Sequence, residues 1–416
     1  MKVMGLMSGT SLDGIDVCLL EVEGTDPLRL DWRLLGFRTH PYGSGDRGLL
    51  RRGIEEGDAA LLCRLHGLLA EGMARGVLAL LDEVGVAPEE VSAIGSHGQT
   101  LWHQPPNREK GGEEGRGWDG GGADILVGPP GRGFTLQLGD PATLAERTGI
   151  DVVSDFRSRD VAAGGHGAPL VPWADRALLS RPGTARVLQN LGGMGNLAWI
   201  PPRGSTEAVL AFDTGPGVAL MDAAVALATG EIRAFDEDGA LSRRGRVDSG
   251  LLDRLLEDPF FRQPPPRSTG REHFGSALVA RLAEERGLVP GREEEGWPDL
   301  LATLAALTAR SVAEAIQRWV LPRPVDEVVL AGGGASNPVL VEALTELLAP
   351  IPVRTGAEAL GIDPDAKEAA AFALMAWAHL HRIPANVPEA TGAPGLRVLG
   401  SLTPGRRAAP SAGSRP

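Results

Sequence analysis

Apolar and polar positions alternate in blocks along this chain, and the opening block sets the pattern. Apolar runs from Val3 to Met7 and from Ile15 to Val22 predict two strands. Between them lies Ser8-Gly9-Thr10-Ser11-Leu12-Asp13-Gly14, too long for a two-residue hairpin turn and rich in small polar residues. Leu28 to Thr39 reads as another strand. Asp58 to Val84 reads as a long helix with Leu61, Leu65, Leu68, Leu69, Met73, Val77 and Leu80 on its apolar face. Ala93-Ile94-Gly95 predicts a short buried strand that ends at Ser96-His97-Gly98-Gln99-Thr100. Phe134 to Asp140, a helix from Pro141 to Thr148 and a strand from Ile150 to Ser154 follow, with proline at a favourable first helical position.

The layout then recurs. From Ala185, Val187 to Ile200 again gives strand, small-residue loop and strand, a repeat of pattern rather than of identity. Val209 to Phe212 leads into Asp213-Thr214-Gly215-Pro216-Gly217 and a helix through Leu227. Glu327 to Leu330 leads into Ala331-Gly332-Gly333-Gly334-Ala335-Ser336-Asn337 and another helix. Asp365 to Arg382 predicts a helix packed through Ala366, Ala370, Ala373, Leu374 and Trp377. Alternating strands and helices make this an α/β chain, and 416 residues exceed what one core usually supports. The expected division is 1–183, 184–385 and an extension 386–416 whose end, from Pro404, has a disordered composition. Residues 105–133, rich in glycine and glutamate, predict an exposed, flexible insertion.

Composition narrows the function. Apolar content of 43% with mean hydropathy of −0.05 describes a soluble protein. No apolar run reaches the about 18 residues of a membrane span, and Met1-Lys2 leads straight into a strand, which leaves no room for a leader. Cys18 and Cys63 fall in apolar segments, as reduced core cysteines of a cytoplasmic protein would. A formal charge of −13 argues against nucleic acid or an anionic membrane as partner. The only lysines are Lys2, Lys110 and Lys367, and none follows the glycine pattern of a P-loop. A nucleotide would therefore have to be held by backbone amides, hydroxyls and a metal.

Four glycine-rich turns, each at the end of a strand, supply such groups. Gly9 and Gly14 let successive N–H groups point into one concavity beside the hydroxyls of Ser8, Thr10 and Ser11. An ordinary interstrand loop could read the same. His97 is compatible with a structural histidine or, beside Gly98 and Gln99, with a ligand contact. Asp155-Phe156-Arg157-Ser158-Arg159-Asp160 runs into the glycines around His166, where a surface salt-bridge cluster or a general base would both fit.

Taken together, the turns resemble those of the sugar-kinase, actin and heat-shock ATPase superfamily. The strings Ser8–Gly14, His97–Thr100, Gly139–Pro141, Asp155–Arg157 with Asp160, Gly164-Gly165, Gly167–Pro169, Asn190–Gly193 with Asn196, Phe212–Gly217, Ser268–Glu272 and Gly332–Gly334 with Asn337 resemble the anhydro-N-acetylmuramic acid kinase family, over roughly residues 3–385 and in the family's order. The resemblance implies two ribonuclease-H-like domains of the actin/hexokinase type with a central nucleotide and substrate cleft. It implies a cytoplasmic enzyme of peptidoglycan recycling, a homodimer, that uses ATP and Mg²⁺ to hydrolyse a 1,6-anhydro bridge and phosphorylate the released O6. A levoglucosan-type kinase shares these motifs, and a non-catalytic sugar sensor is the reading from another class.

Carried over position by position, the resemblance implies Asp160 as the base. It implies ATP contacts from Gly9, Thr10, Ser11, Leu12, Asp13, Gly14, Ile15, Asp16, Asn190, Gly192, Gly193, Asp213, Thr214, Gly215, Gly217, Gly332, Gly333, Gly334 and Asn337. Sugar contacts would come from His97, Gln99, Thr100, Asp155, Arg157, His166 and Glu368, and water-mediated metal contacts from Asp13 or Asp213. His166 stands where the family usually has glutamine, Val218 where asparagine is common, and the insertion around 107–124 has no usual counterpart.

Overall fold

The computed structural model describes residues 1–9, 12–106, 131–294 and 296–406. They form two compact units, 1–178 with 365–416, and 179–364. In the first, β1 (Lys2–Ser8), β2 (Gly14–Glu23) and β3 (Asp31–Pro41) make an antiparallel meander. The strand β4 (Val91–Gln104) lies parallel to β1, β5 (Phe134–Leu138) pairs with the far end of β4, and β6 (Val152–Ser154) lies parallel to β4.

The second unit repeats this plan. Here β7 (Arg186–Leu191), β8 (Met194–Ile200) and β9 (Leu210–Pro216) form the meander, with β10 (Glu327–Ala331) parallel to β7 and β11 (Val353–Thr355) parallel to β10. In both sheets the meander's first strand is central and the two later strands extend from it in parallel, the arrangement of a ribonuclease-H-like fold. The repeat of pattern is a repeat of topology. Back in the first unit, β12 (Ser401–Thr403) closes the sheet against β6.

The helix Ala59–Val84, capped by the Asp58 carboxylate on the Ala60 N–H, buries Leu65, Leu69, Met73, Val77 and Leu80. Met73, Val77 and Leu80 pack over Met4, Leu6, Ile15, Val17, Leu19 and Ile94 of the sheet, and Leu65 and Leu69 pack with Leu12, Leu50 and Leu138. Two expectations fail on this helix. Leu68 is 50% exposed, because one residue of a helix turns the side chain about 100° away from Leu69. Cys63 is exposed for the same reason, two positions before Leu65, whereas Cys18 is in the core, where burial pushes its thiol up to about 12.

The strand β4 is longer than its apolar centre predicts. Its parallel pairing with β1 shifts between Leu6 and Ser8, and from Gln99 onward β4 pairs with β5. Gly98, at φ 74°, sits where the pairing changes; a Cβ there would lie 2.4 Å from the Leu138 carbonyl oxygen. His97 to Thr100 are therefore on the strand, not on a turn beyond it.

The last helix, Lys367–Leu380, belongs with the first unit, where the expected boundary at 385 had put it in the second. It lies directly on β1 and β4. A Cβ on Gly5 would come 1.8 Å from the Ala369 carbonyl oxygen, and one on Gly95 would come 2.0 Å from that of Phe372. Only glycines let backbone meet backbone this closely. Among the described residues no helix is long and apolar enough to cross a membrane.

Candidate active site

In the first unit the candidate residues gather at the ends of β1, β4 and β6. Ser8, buried at the end of β1, donates its hydroxyl to Gln99 Oε1 at 2.6 Å and lies 2.8 Å from the Tyr42 hydroxyl. Tyr42 is the chain's single tyrosine, and burial pushes its phenol up to about 12, so it remains a proton donor. Fixing Oε1 in this way directs the amide N–H donors of Gln99 to the other side, where among the described residues Nε2 reaches only the Thr100 carbonyl oxygen at 3.5 Å. In the following turn Leu12 adopts φ 58° and donates its N–H to Gly9 O at 3.2 Å. The side chains of Leu12 and Ile15 point into the core, 5% and 4% exposed, so this turn offers a ligand their backbone alone. Asp13 is exposed. Asp16 accepts from Thr39 Oγ1 at 2.6 Å while burial raises its carboxyl. Thr10 and Ser11 lie outside the described residues, as do most of the expected insertion and the chain end beyond 406.

His97 is a neutral imidazole with an assigned tautomer. Its Nδ1 lies 2.9 Å from the Gly98 carbonyl oxygen, an acceptor, so Nδ1 carries the hydrogen. Nε2 is then free to accept from Arg157 Nε at 3.1 Å. Burial, with the Arg157 charge added, lowers the imidazole to about 3, and its ring rests on Phe372 of the last helix, centroids 4.7 Å apart. Arg157 Nη1 also donates to Gly167 O at 2.7 Å, and Gly167 N donates to Asp160 Oδ2 at 2.8 Å. A continuous chain of bonds thus joins His97, Arg157, Gly167 and Asp160.

Asp160 is fully buried. Besides the Gly167 N–H, its Oδ1 accepts from Asn386 Nδ2 and Thr391 Oγ1, both at 2.9 Å. A carboxylate has about four acceptor positions, so among the described residues one is left for a further proton donor. Asp155, exposed and at φ 57°, accepts from the Ser158 hydroxyl. Although solvent reaches Glu368, crowding by protein atoms raises its carboxyl above the ordinary glutamate range; Lys367 and Arg157 pull it down, Asp16 and Asp175 push it up. Lys367 itself is paired with buried Asp175 at 3.2 Å.

In the second unit the turns after β7 and β9 interlock. Gly217 N donates to Gly193 O at 2.9 Å, Val218 N to Gly192 O at 2.8 Å and Ala219 N to Gly193 O at 3.1 Å. A Cβ on Gly217 would lie 2.0 Å from Gly192 O. Gly215, at φ 136°, needs the conformational range of glycine. Asp213 Oδ2 accepts from Thr269 N at 2.9 Å, and burial raises its carboxyl. The hydroxyl of Thr214 is turned inward to Gln189 Nε2, 3.2 Å away. Gly332 lies against Asn190, where a Cβ would be 2.5 Å from Oδ1, while Gly333 is exposed with open space at its Cα. Gly334 is buried. Asn337 serves as a helix cap, accepting from Val339 N at 3.0 Å.

The sequence model of the anhydro-N-acetylmuramic acid kinase family matches residues 1–112 and 122–405. The chain belongs to this family. A protein of Gloeobacter violaceus named anhydro-N-acetylmuramic acid kinase is 44% identical over 96% of this chain and 98% of its own length. Proteins of the same name from Caldanaerobacter subterraneus subsp. tengcongensis and Salinibacter ruber are 41% and 40% identical, each over 96% of both chains. As a member of the anhydro-N-acetylmuramic acid kinase family the chain is a kinase.

The family match leaves out 113–121, within the segment expected to be an insertion. Of the other departures, His166 is exposed and its N–H bonds Thr391 O at 2.7 Å. Val218 packs on the third turn, its Cγ1 2.9 Å from where a Gly334 Cβ would be. Several residues that shape the site were not legible in these roles: Ser8, expected as a hydroxyl of the phosphate turn, with Tyr42 behind Gln99, and Asn386 and Thr391 behind Asp160. A lone tyrosine was the available signal for the first pair. For the second there was none, since these partners are 226 and 231 residues from Asp160.

Proposed function

We propose that this kinase opens 1,6-anhydro-N-acetylmuramate and phosphorylates it at O6, with the sugar chemistry carried by the first unit. Water adds at the anomeric carbon, the C1–O6 bond breaks, and O6 takes the γ-phosphoryl group of ATP, leaving N-acetylmuramate 6-phosphate and ADP. Family membership over nearly the whole chain selects this sugar over levoglucosan. The observation that supports the residue roles is the bonded chain from His97 through Arg157 and Gly167 to Asp160.

In this reading Asp160 uses its remaining acceptor position to take the proton of the attacking water. Its fixed donors hold it in one orientation, which general-base catalysis needs. Gln99 offers oriented N–H donors to the sugar, and neutral His97 fixes the Arg157 guanidinium. Thr100, Asp155, His166 and Glu368 complete the sugar's surroundings. Gly9 to Asp16 hold phosphate through backbone amides. Within the second unit, Asn190, Gly192, Gly193 and Asp213 to Gly217 are phosphate contacts, and Gly332 to Gly334 and Asn337 are nucleoside contacts.

Among the described residues no group of three metal-ligating side chains occurs. The carboxylates of Asp13 and Asp213 are hard oxygen donors of the kind Mg²⁺ takes one or two of, alongside water and phosphate. The raised carboxyl of Asp213 would be relieved by such a cation. Bound there, the ion would neutralise charge on the phosphates. A cytoplasmic homodimer in peptidoglycan recycling completes the proposal.

Glu368 gives the test. Its raised carboxyl ionises at higher pH than a free glutamate, so an activity that needs the carboxylate falls on the acid side as pH drops through that raised value. Glu368→Gln should lower kcat/KM for the sugar about tenfold or more and move the acid limb to lower pH. An unchanged limb and rate would remove Glu368 from the site.

A further inference from the structure

We propose that Arg271 is a nucleotide-binding residue whose guanidinium takes a phosphate oxyanion of ATP over the Gly192-Gly193 turn. The proposal rests on the reading of that turn as a phosphate site. The guanidinium lies flat against it: a Cβ on Gly193 would be 3.1 Å from Nη2, 3.4 Å from Nε and 3.6 Å from Cζ. Arg271 is exposed, and no hydrogen bond or ion pair satisfies its side chain among the described residues.

Its backbone, in contrast, is held by a rigid stalk. Arg267, four residues earlier, is buried and donates to the carbonyl oxygens of Asp213, Phe260, Phe261 and Gln263 at 2.9 to 3.2 Å. It is flanked by the rings of Phe212 and Phe260. Thr269 N ties the stalk to the Asp213 carboxylate. His273 N and Phe274 N both bond Gly270 O, at 3.1 and 3.0 Å, and a Cβ on Gly275 would lie 2.1 Å from Arg271 O. The same stalk leaves the Thr269 hydroxyl buried without a hydrogen-bond partner among the described residues. One immobilised loop thus presents an unused hydroxyl beside Asp213 and an unused cation beside Gly193.

Charge supply points the same way. Lys2, Lys110 and Lys367 all fall outside 179–364, so the second unit has no lysine to meet phosphate. Asp222, on the helix that follows the Gly217 turn, lies within electrostatic range of Arg271 but makes no hydrogen bond or ion pair with it among the described residues. The guanidinium fork is suited to phosphate geometry. The other anion in the reaction is the carboxylate of the sugar's lactyl group, and the position over the phosphate turn favours the nucleotide.

The test is calorimetric titration of the full chain, with Mg²⁺, by ADP and by adenosine, together with KM values for ATP and for the sugar. Arg271→Ala should weaken ADP by about tenfold to a hundredfold and leave adenosine unchanged. It should raise the KM for ATP and not that for the sugar, and Arg271→Lys should recover part of the loss. Unchanged ADP affinity, or equal loss of adenosine, would overturn the assignment. A rise in the sugar KM alone would give the guanidinium to the lactyl carboxylate instead. Failure of the wild-type chain to bind ADP would defeat the phosphate site itself, and Arg271 with it.

Discussion

Asp160→Asn is expected to lower sugar-dependent ADP release by about 10²- to 10⁴-fold, the range for loss of a general base, while ADP affinity stays near that of the wild type. The substitution has two effects at once. It removes the basic oxygen, and it turns an amide N–H₂ toward donors, because the carboxylate already accepts from Gly167 N, Asn386 Nδ2 and Thr391 Oγ1. Some loss of stability is therefore expected too, on the order of 1–3 kcal/mol for disturbing buried bonds. Thr391→Val separates the roles, since it removes one donor and leaves the base. If Asp160 is the base, Thr391→Val loses stability yet keeps substantial turnover, whereas Asp160→Asn loses turnover even where it is fully folded. Comparable activity in the two folded variants would make Asp160 an anchor for the loop and nothing more.

The second large effect is on stability. Gly95→Ala should destabilise the protein by about 3 kcal/mol or more, at or beyond the usual range for overpacking. The added methyl would sit 2.0 Å from the Phe372 carbonyl oxygen and 2.7 Å from its carbon, and no rotamer change relieves a clash with backbone. The helix Lys367–Leu380 must move off β4 to admit it. That helix carries Glu368 at its first turn and leads toward Asn386 and Thr391, so turnover should fall along with stability. Urea unfolding monitored by the intrinsic tryptophans reads the difference. A variant within about 1 kcal/mol of the wild type would mean that the helix is not seated as described.

Strand–turn–strand units were legible because apolar runs and glycine turns are local signals. Val3–Met7 and Ile15–Val22 lie inside β1 and β2, and Asp58 and Asp140 cap the helices that follow them. What escaped is decided by contacts distant in sequence. The polar string His97–Thr100 hides a strand because its polar groups are matched by Ser8, Arg157 and the β5 backbone. The last helix was assigned to the wrong unit because its seat is made by Gly5 and Gly95, whose lack of a side chain carries no periodic signal. Cys63 and Leu68 show the limit of an apolar stretch as a guide: a helix has an outside, and a position or two decides which side a residue takes.

Turnover in ¹⁸O-labelled water measures the proposed reaction itself. The protein, ATP, Mg²⁺ and 1,6-anhydro-N-acetylmuramate react for minutes, short of anomeric oxygen exchange, beside a parallel reaction with levoglucosan, and mass spectrometry locates the label. Water attack at the anomeric carbon predicts one ADP per sugar and a reducing 6-phosphosugar labelled at C1, with an unlabelled phosphoryl group. Label in phosphate without a sugar product would show simple ATP hydrolysis, and label at O6 would show cleavage on the other side of the bridge. Either result would contradict the chemistry assigned to Asp160, and turnover of levoglucosan alone would contradict the substrate.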